Sequence, residues 1–252
     1  LAFCVYSLAL DHYLHTLNSL NFNHYAACCT MTARPRVKIC CISSRDEARL
    51  AISYGASALG LVSSMPSGPG VIDDTTIAHI ACAVPPGIAT FMLTSRQSTQ
   101  DIIAQHRQTR TNTLQIVDSL EEGRYQDFRH TLPGIGIVQV IHVTGEESVD
   151  EALRLAPEVD ALLLDSGNQS LAVKELGGTG RTHDWRVSRS IVEAVQHAYG
   201  TPVYLAGGLN PNNVRAAIEA VQPFGLDLCS GVRSGGALDE RKLAAFFEAV
   251  SS

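Results

Sequence analysis

An excess of positive charge is missing from this 252-residue chain: 19 Lys and Arg stand against 25 Asp and Glu, a formal net charge of −6. That balance excludes a broad basic face for nucleic acid or anionic lipid, although a local cluster can still hold a small phosphate. A small-molecule partner is the reading left, with no nucleic acid and no membrane. Any C-x-x-C pair is missing too. The seven cysteines, at positions 4, 28, 29, 40, 41, 82 and 229, are odd in number and have no companion histidine spacing that reads as zinc. They read as reduced thiols of a cytoplasmic protein, without a disulfide framework or a metal. Long apolar runs are also absent. Residues 1–30 start apolar but are broken by Asp11 and His12 and carry no basic n-region, which speaks against a membrane span. Residues 1–35 are therefore expected to be an extension outside the fold, with Met31 as the functional start and a weak signal peptide as the rival reading.

What is present is alternation. With 45% hydrophobic and 17% charged residues the chain is globular in composition. From residue 37 onward, apolar runs of strand length alternate with segments of helical period, the signature of βα units. The strand candidates are 37–41, 58–62, 88–93, 113–117, 136–143, 161–165, 202–206 and 225–229. Helix candidates lie near 45–54, 74–83, 98–108, 120–130, 146–155, 185–199, 211–221 and 239–250. Eight such units predict an α/β fold, a (β/α)₈ TIM barrel over residues 36–252. A doubly wound sheet is the alternative, but no G-x-G-x-x-G follows the first strand.

Barrels of this kind place their chemistry at the C-terminal strand ends. Side-chain alternation puts Lys38 and Cys40 on one face and Val37, Ile39 and Cys41 on the other. Cys40 is thus expected at the barrel mouth, where a nearby ammonium favours thiolate over thiol, and Cys41 beneath the helix layer as inert packing. The same parity turns Asp165 inward at the end of strand 6. Across the closing seam, Lys38 and Asp227 are expected to meet in the interior. Three glycine-rich turns offer backbone N–H groups to a phosphate: Gly177, Gly178, Thr179 and Gly180; Gly207 and Gly208; Ser230 and Gly231. His142 ends strand 5, as a pocket residue or a hydrogen-bonded structural histidine.

The strings VKIC, ALGLV, LLLDS, GGTGRTHDW, LAGGLNPNNV, FGLDLCSGV and LDERKLAAFFEAV together resemble the phosphoribosylanthranilate isomerase family of tryptophan biosynthesis, in order and spacing. The resemblance implies a cofactor-free barrel that performs an Amadori rearrangement of a phosphorylated substrate. It places the catalytic base on Cys40 and the catalytic acid on Asp165. Departures fall on the aromatic half of the site. Cys41 stands where the family has glycine, Gly70 where it has an arginine for the anthranilate carboxylate, and Val117 and Asp118 where strand 4 usually ends in His-Gly. Arg96 and Arg181 are candidate replacement cations. Those departures leave two alternatives open, an isomerase of a different phosphoribosylamine and a non-catalytic barrel that binds a phosphometabolite. Oligomeric state is not readable from the chain.

Overall fold

The computed structural model describes residues 34–167 and 182–251. The extension up to residue 33, and the expected phosphate and cation residues Gly177, Gly178, Thr179, Gly180 and Arg181, lie outside the described residues. Eight strands, β1 (Arg36–Ile39), β2 (Ala58–Val62), β3 (Ala89–Thr94), β4 (Thr113–Ile116), β5 (Gly136–His142), β6 (Ala161–Asp165), β7 (Val203–Leu205) and β8 (Gly225–Leu228), pair in chain order into a closed parallel barrel. The (β/α)₈ expectation is met.

Helices alternate with the strands: α1 (Arg45–Ser53), α2 (Asp74–Ala81), α3 (Thr99–Thr109), α4 (Tyr125–Thr131), α5 (Glu147–Leu155), α6 (Trp185–Tyr199), α7 (Val214–Val221) and α8 (Glu240–Ser251). Three of them start where a short polar side chain accepts from an otherwise unpaired N–H: Ser44 from Glu47, Asp73 from Thr76, Asp184 from Arg186. The largest difference from the sequence reading is α4, which begins at Tyr125 rather than near 120. Gly123 takes a left-handed φ of +86°, and Glu122 bridges to Ser98, so the chain there is a turn tied to the start of α3. A short hairpin, β9 (Arg233–Ser234) with β10 (Ala237–Leu238), leads into α8.

Strand alternation sorts the core into two layers. Ile39, Leu59, Met92, Leu114, Leu162 and Leu226 face outward and pack with the buried stripes of the helices. Ala58, Phe91, Val138, Val140, Leu163 and Tyr204 point inward and fill the barrel. The inner layer also contains charge. Lys38 sits opposite Asp227 in the β1–β8 register, fully buried, and its Nζ donates to Asp227 Oδ2 at 2.7 Å. The sequence expectation for that pair is met.

Gly60 leaves the pair room, since a Cβ there would lie 3.0 Å from Lys38 Nζ, and Gly225 leaves room for the Tyr204 ring, which a Cβ there would approach to 2.4 Å. The ammonium also stands 5.3 Å from the centre of the Phe91 ring, whose electron-rich face attracts it. Burial alone would draw the Lys38 pKa down, but the Asp227 charge and then Cys40 and the Asp227 hydrogen bond outweigh it and the net direction is up.

Removing one member of such a pair leaves an uncompensated buried charge. Lys38→Met is expected to lower unfolding stability in urea by about 3–5 kcal/mol, and the Lys38→Met/Asp227→Leu double variant to recover most of it. A double variant no more stable than the single would show that the pair is not the cause.

Candidate active site

The mouth of the barrel holds a solvent-open pocket of about 640 Å³, walled by Cys40, Leu93, Gln115, Asp165 and Asp227, with the Gly207–Gly208 and Ser230 turns along one side. Cys40, Asp165, Gly207, Gly208 and Ser230, all expected from the sequence, are thus brought together. Gly231 follows Ser230 in a single 3₁₀ turn, and a Cβ on it would lie 2.0 Å from Leu209 O. Only glycine lets the loops after β7 and β8 approach this closely.

Gly207 and Gly208 have left-handed φ values of +84° and +61°. Side-chain amides of Asn210 and Asn213 donate to Gly208 O and hold the turn. The N–H groups of Gly207, Gly208 and Ser230 make no backbone hydrogen bond among the described residues, which suits them to an anion.

Asp165 ends β6 beside His142, its register partner on β5. It is nearly buried, and burial pushes its carboxyl pKa up, against the Ser166 N–H bonded to Oδ1 at 2.7 Å and the opposing pull of His142. The acid form is thereby favoured to a higher pH than usual. His142 lies within hydrogen-bond distance, 2.9 Å, of Val117 O through Nε2, while its buried Nδ1 has no partner among the described residues. It does not line the pocket. Lys38 lies beneath the pocket, paired to Asp227. Arg96 is exposed and does not line the pocket.

Gln115 and Asp227 complete the floor. Each is nearly buried and keeps one oxygen, Gln115 Oε1 and Asp227 Oδ1, without a hydrogen-bond partner among the described residues. Unpaired buried acceptors at a pocket wall are available to a polar ligand. The sequence reading passed over Gln115; its signal was a polar residue at an inward position of β4.

Cys41 requires a correction. It does not lie under the helix layer: its side chain faces the pocket with Cys40 and Cys229. Regular strand geometry ends at Ile39, and Cys41 adopts φ +62°, so the alternation that governs Lys38 and Cys40 no longer applies. Arg233 holds this bend. Its guanidinium donates to Cys41 O and, bidentate, to Glu47 at 3.0 Å to each oxygen. Glu47 also accepts from the N–H groups of Ser43 and Leu238; burial opposes, yet its carboxyl is held below its ordinary range.

Cys41 also explains Gly70. A Cβ at Gly70 would lie 2.4 Å from Cys41 Cβ, and Gly70 itself has φ +77°. The loop after β2 thus packs its glycine directly on the cysteine.

Comparison with known proteins follows the same lines. The family model for N-(5'-phosphoribosyl)anthranilate isomerase matches residues 37–249. N-(5'-phosphoribosyl)anthranilate isomerase of Haloferax volcanii is 35% identical over 219 residues, covering 86% of this chain and 93% of that protein. Its counterpart in Methanocella arvoryzae is 32% identical over 199 residues, covering 79% and 89%. Among solved structures, phosphoribosyl anthranilate isomerase of Thermotoga maritima superposes with a TM-score of 0.71 at 27% identity, covering 86% of this chain and 98% of that one. A phosphoribosyl anthranilate isomerase in complex with reduced 1-(o-carboxyphenylamino)-1-deoxyribulose 5-phosphate gives 0.68 at 25% identity, with the same coverage.

The contact between Cys41 and Gly70 is testable by a double-mutant cycle in urea. Gly70→Ala is expected to lose about 1–2 kcal/mol to its left-handed backbone and more to the clash. In a Cys41→Gly background the contacts with Cβ and Sγ are gone and only the 3.0 Å approach to the residue-41 Cα remains, so the two substitutions should couple by about 1–3 kcal/mol. Strict additivity would mean that the two sites do not touch.

Proposed function

This chain belongs to the N-(5'-phosphoribosyl)anthranilate isomerase family, and we propose that it rearranges N-(5'-phosphoribosyl)anthranilate with Asp165 as general acid and Cys40 as general base. The observation that carries the assignment is that one pocket presents both side chains and, beside them, the Gly207–Gly208 and Ser230 turns. The relatives matching across most of the barrel bear the same activity in their names.

The chemistry follows from the two groups. Asp165, protonated at a higher pH than an ordinary carboxyl because it is buried, gives its proton to the ribose ring oxygen. The C1–O bond breaks as the anilinic nitrogen's electron pair forms a protonated Schiff base at C1. That cation acidifies the C2 proton. Cys40 removes it, the C2–H electrons flow to nitrogen, and the resulting enolamine tautomerises to the 1-deoxyribulose 5-phosphate derivative. Protons balance over the cycle, as an isomerisation requires.

The N–H groups at Gly207, Gly208, Ser230 and Gly231 hold the phosphate, together with Gly177, Gly178, Thr179 and Gly180. His142 positions Asp165 from the neighbouring strand, and Lys38 supports Cys40 from below. Arg96 serves the substrate only through a movement of the loop after β3. The barrel of residues 36–252 carries the activity, and the cytoplasm is the compartment.

Cys40→Ala and Asp165→Asn are each expected to lower kcat by about 10²–10⁴-fold or more while the protein stays folded by circular dichroism. Because the Asp165 pKa is raised, the wild-type rate should fall on the alkaline side as that carboxyl loses its proton. Failure of the soluble wild-type chain to convert this substrate, or to complement a tryptophan auxotroph lacking the isomerase, would instead favour a different phosphoribosylamine. Binding of ribose 5-phosphate without turnover of any such amine would favour a non-catalytic barrel.

A further inference from the structure

Three free thiols, Cys40, Cys41 and Cys229, converge on the pocket, and the proposed reaction uses one of them. The other two face each other. Cys41 Sγ and Cys229 Sγ are 2.7 Å apart, joined across the β1–β8 seam by residues 188 positions distant in sequence. Closing that gap to the ~2.05 Å of a disulfide bond needs a displacement of well under an ångström. The Cys40 sulfur also bonds Cys41, but contributes less than Cys229 to its raised pKa, and it packs on Gly60, where a Cβ would lie 2.7 Å from it.

We propose that Cys41 and Cys229 are a reversible oxidation site, a dithiol that hydrogen peroxide converts to a disulfide beside the catalytic pocket. The site has the parts that such chemistry needs. Cys229 is half-buried and opens on the pocket, so a small peroxide can reach it. The hydrogen bond shared with Cys41, helped by the Arg233 charge and opposed by burial, holds the Cys229 thiol below its ordinary pKa. The same shared hydrogen bond pushes Cys41 up, so the proton rests there and Cys41 is the resolving thiol.

The Cys229 thiolate attacks one peroxide oxygen. An S–O bond forms, the O–O bond breaks, and the departing hydroxide takes a proton to leave as water. Cys41 sulfur then attacks the Cys229 sulfenic sulfur. The S–S bond forms as the S–O bond breaks, and the Cys41 proton leaves with the hydroxide as a second water. Two thiols lose two electrons and the peroxide gains them.

The bond would join the turn that carries Cys40 to the turn that carries Ser230, so oxidation should also be felt in turnover. Cys41→Gly is a suitable control because glycine accepts the +62° φ that Cys41 holds at a cost.

The 252-residue chain is treated with hydrogen peroxide, its remaining thiols are blocked with N-ethylmaleimide, and its peptides are mapped without reduction. The expected product joins the peptide of Cys41 to that of Cys229 with the loss of two hydrogens, and dithiothreitol restores both. The cross-link should persist in Cys40→Ala and vanish in both Cys41→Gly and Cys229→Ser. Turnover lost by the oxidised wild type should return with dithiothreitol. A bond from Cys40 to either neighbour, or sulfinic acid at Cys40 with Cys41 and Cys229 still free, would overturn the assignment. Peptide mapping does not depend on turnover, so a failed isomerase assay would leave this test intact.

Discussion

A lysine with no exposed surface, bonded to one aspartate inside a barrel of apolar side chains, is the constraint around which this molecule is arranged. Lys38 and Asp227 belong to the first and last strands, so their contact exists only once the sheet has closed. Such a pair is a poor source of stability, because its mutual attraction must first offset the loss of water around two charges. An apolar pair of like volume would hold the seam as well. What an apolar pair cannot do is put an ammonium under Cys40 and an unpaired carboxylate oxygen, Asp227 Oδ1, at the pocket floor. The pair is better understood as part of the site's electrostatics than as a fastener. Because the lysine pKa is raised, its contribution to stability is complete below the unfolded value of about 10.4 and declines only as pH rises toward the folded one.

That constraint propagates outward through space rather than charge. Gly60 has no side chain because the Lys38 head and the Cys40 sulfur already occupy its place, and Gly225 because Tyr204 does. The inner layer is therefore uneven. Phe91, Leu163 and Tyr204 fill the barrel around the buried pair, while the mouth is left to Cys40, Gln115 and Asp165. The outer layer of aliphatic side chains and helix stripes carries the ordinary hydrophobic stabilisation and leaves the mouth free for groups that packing alone would not choose.

Much of this was legible in the chain because a strand has only two faces. Once 37–41, 161–165 and 225–229 are read as strands, Lys38, Asp165 and Asp227 can point only inward or outward, and an ionisable group between apolar neighbours selects inward. The same rule fails where regular geometry stops. Cys41 is only two residues past the end of β1, yet a single left-handed φ moves its side chain from the expected helix layer to the pocket. Nothing in the local sequence announces that bend, because the residues that hold it, Arg233 and Glu47, are 192 and 6 positions away. The start of α4 failed in a related way: the periodicity at 120–124 continues that of the helix, and the turn at Gly123 is set by the start of α3.

The family pattern has glycine at position 41 and arginine at position 70, and read singly these are two losses on the aromatic half of the site. In three dimensions they are a single rearrangement. A cysteine at 41 places its Cβ where a side chain on residue 70 would begin, so any residue but glycine at 70 is in conflict with it. Conversely, with no side chain at 70, the space beside the bend is filled by the Cys41 sulfur, which leans on Pro69 O and on Cys229. Either change alone leaves a clash or a void, and the two together leave neither. With Cys41 in place, packing leaves no room for a side chain at 70, while Cys40 and Asp165 face the same pocket. Packing at positions 41 and 70 is thus settled on one side of the pocket, by a contact in which the side chains of Cys40 and Asp165 take no part.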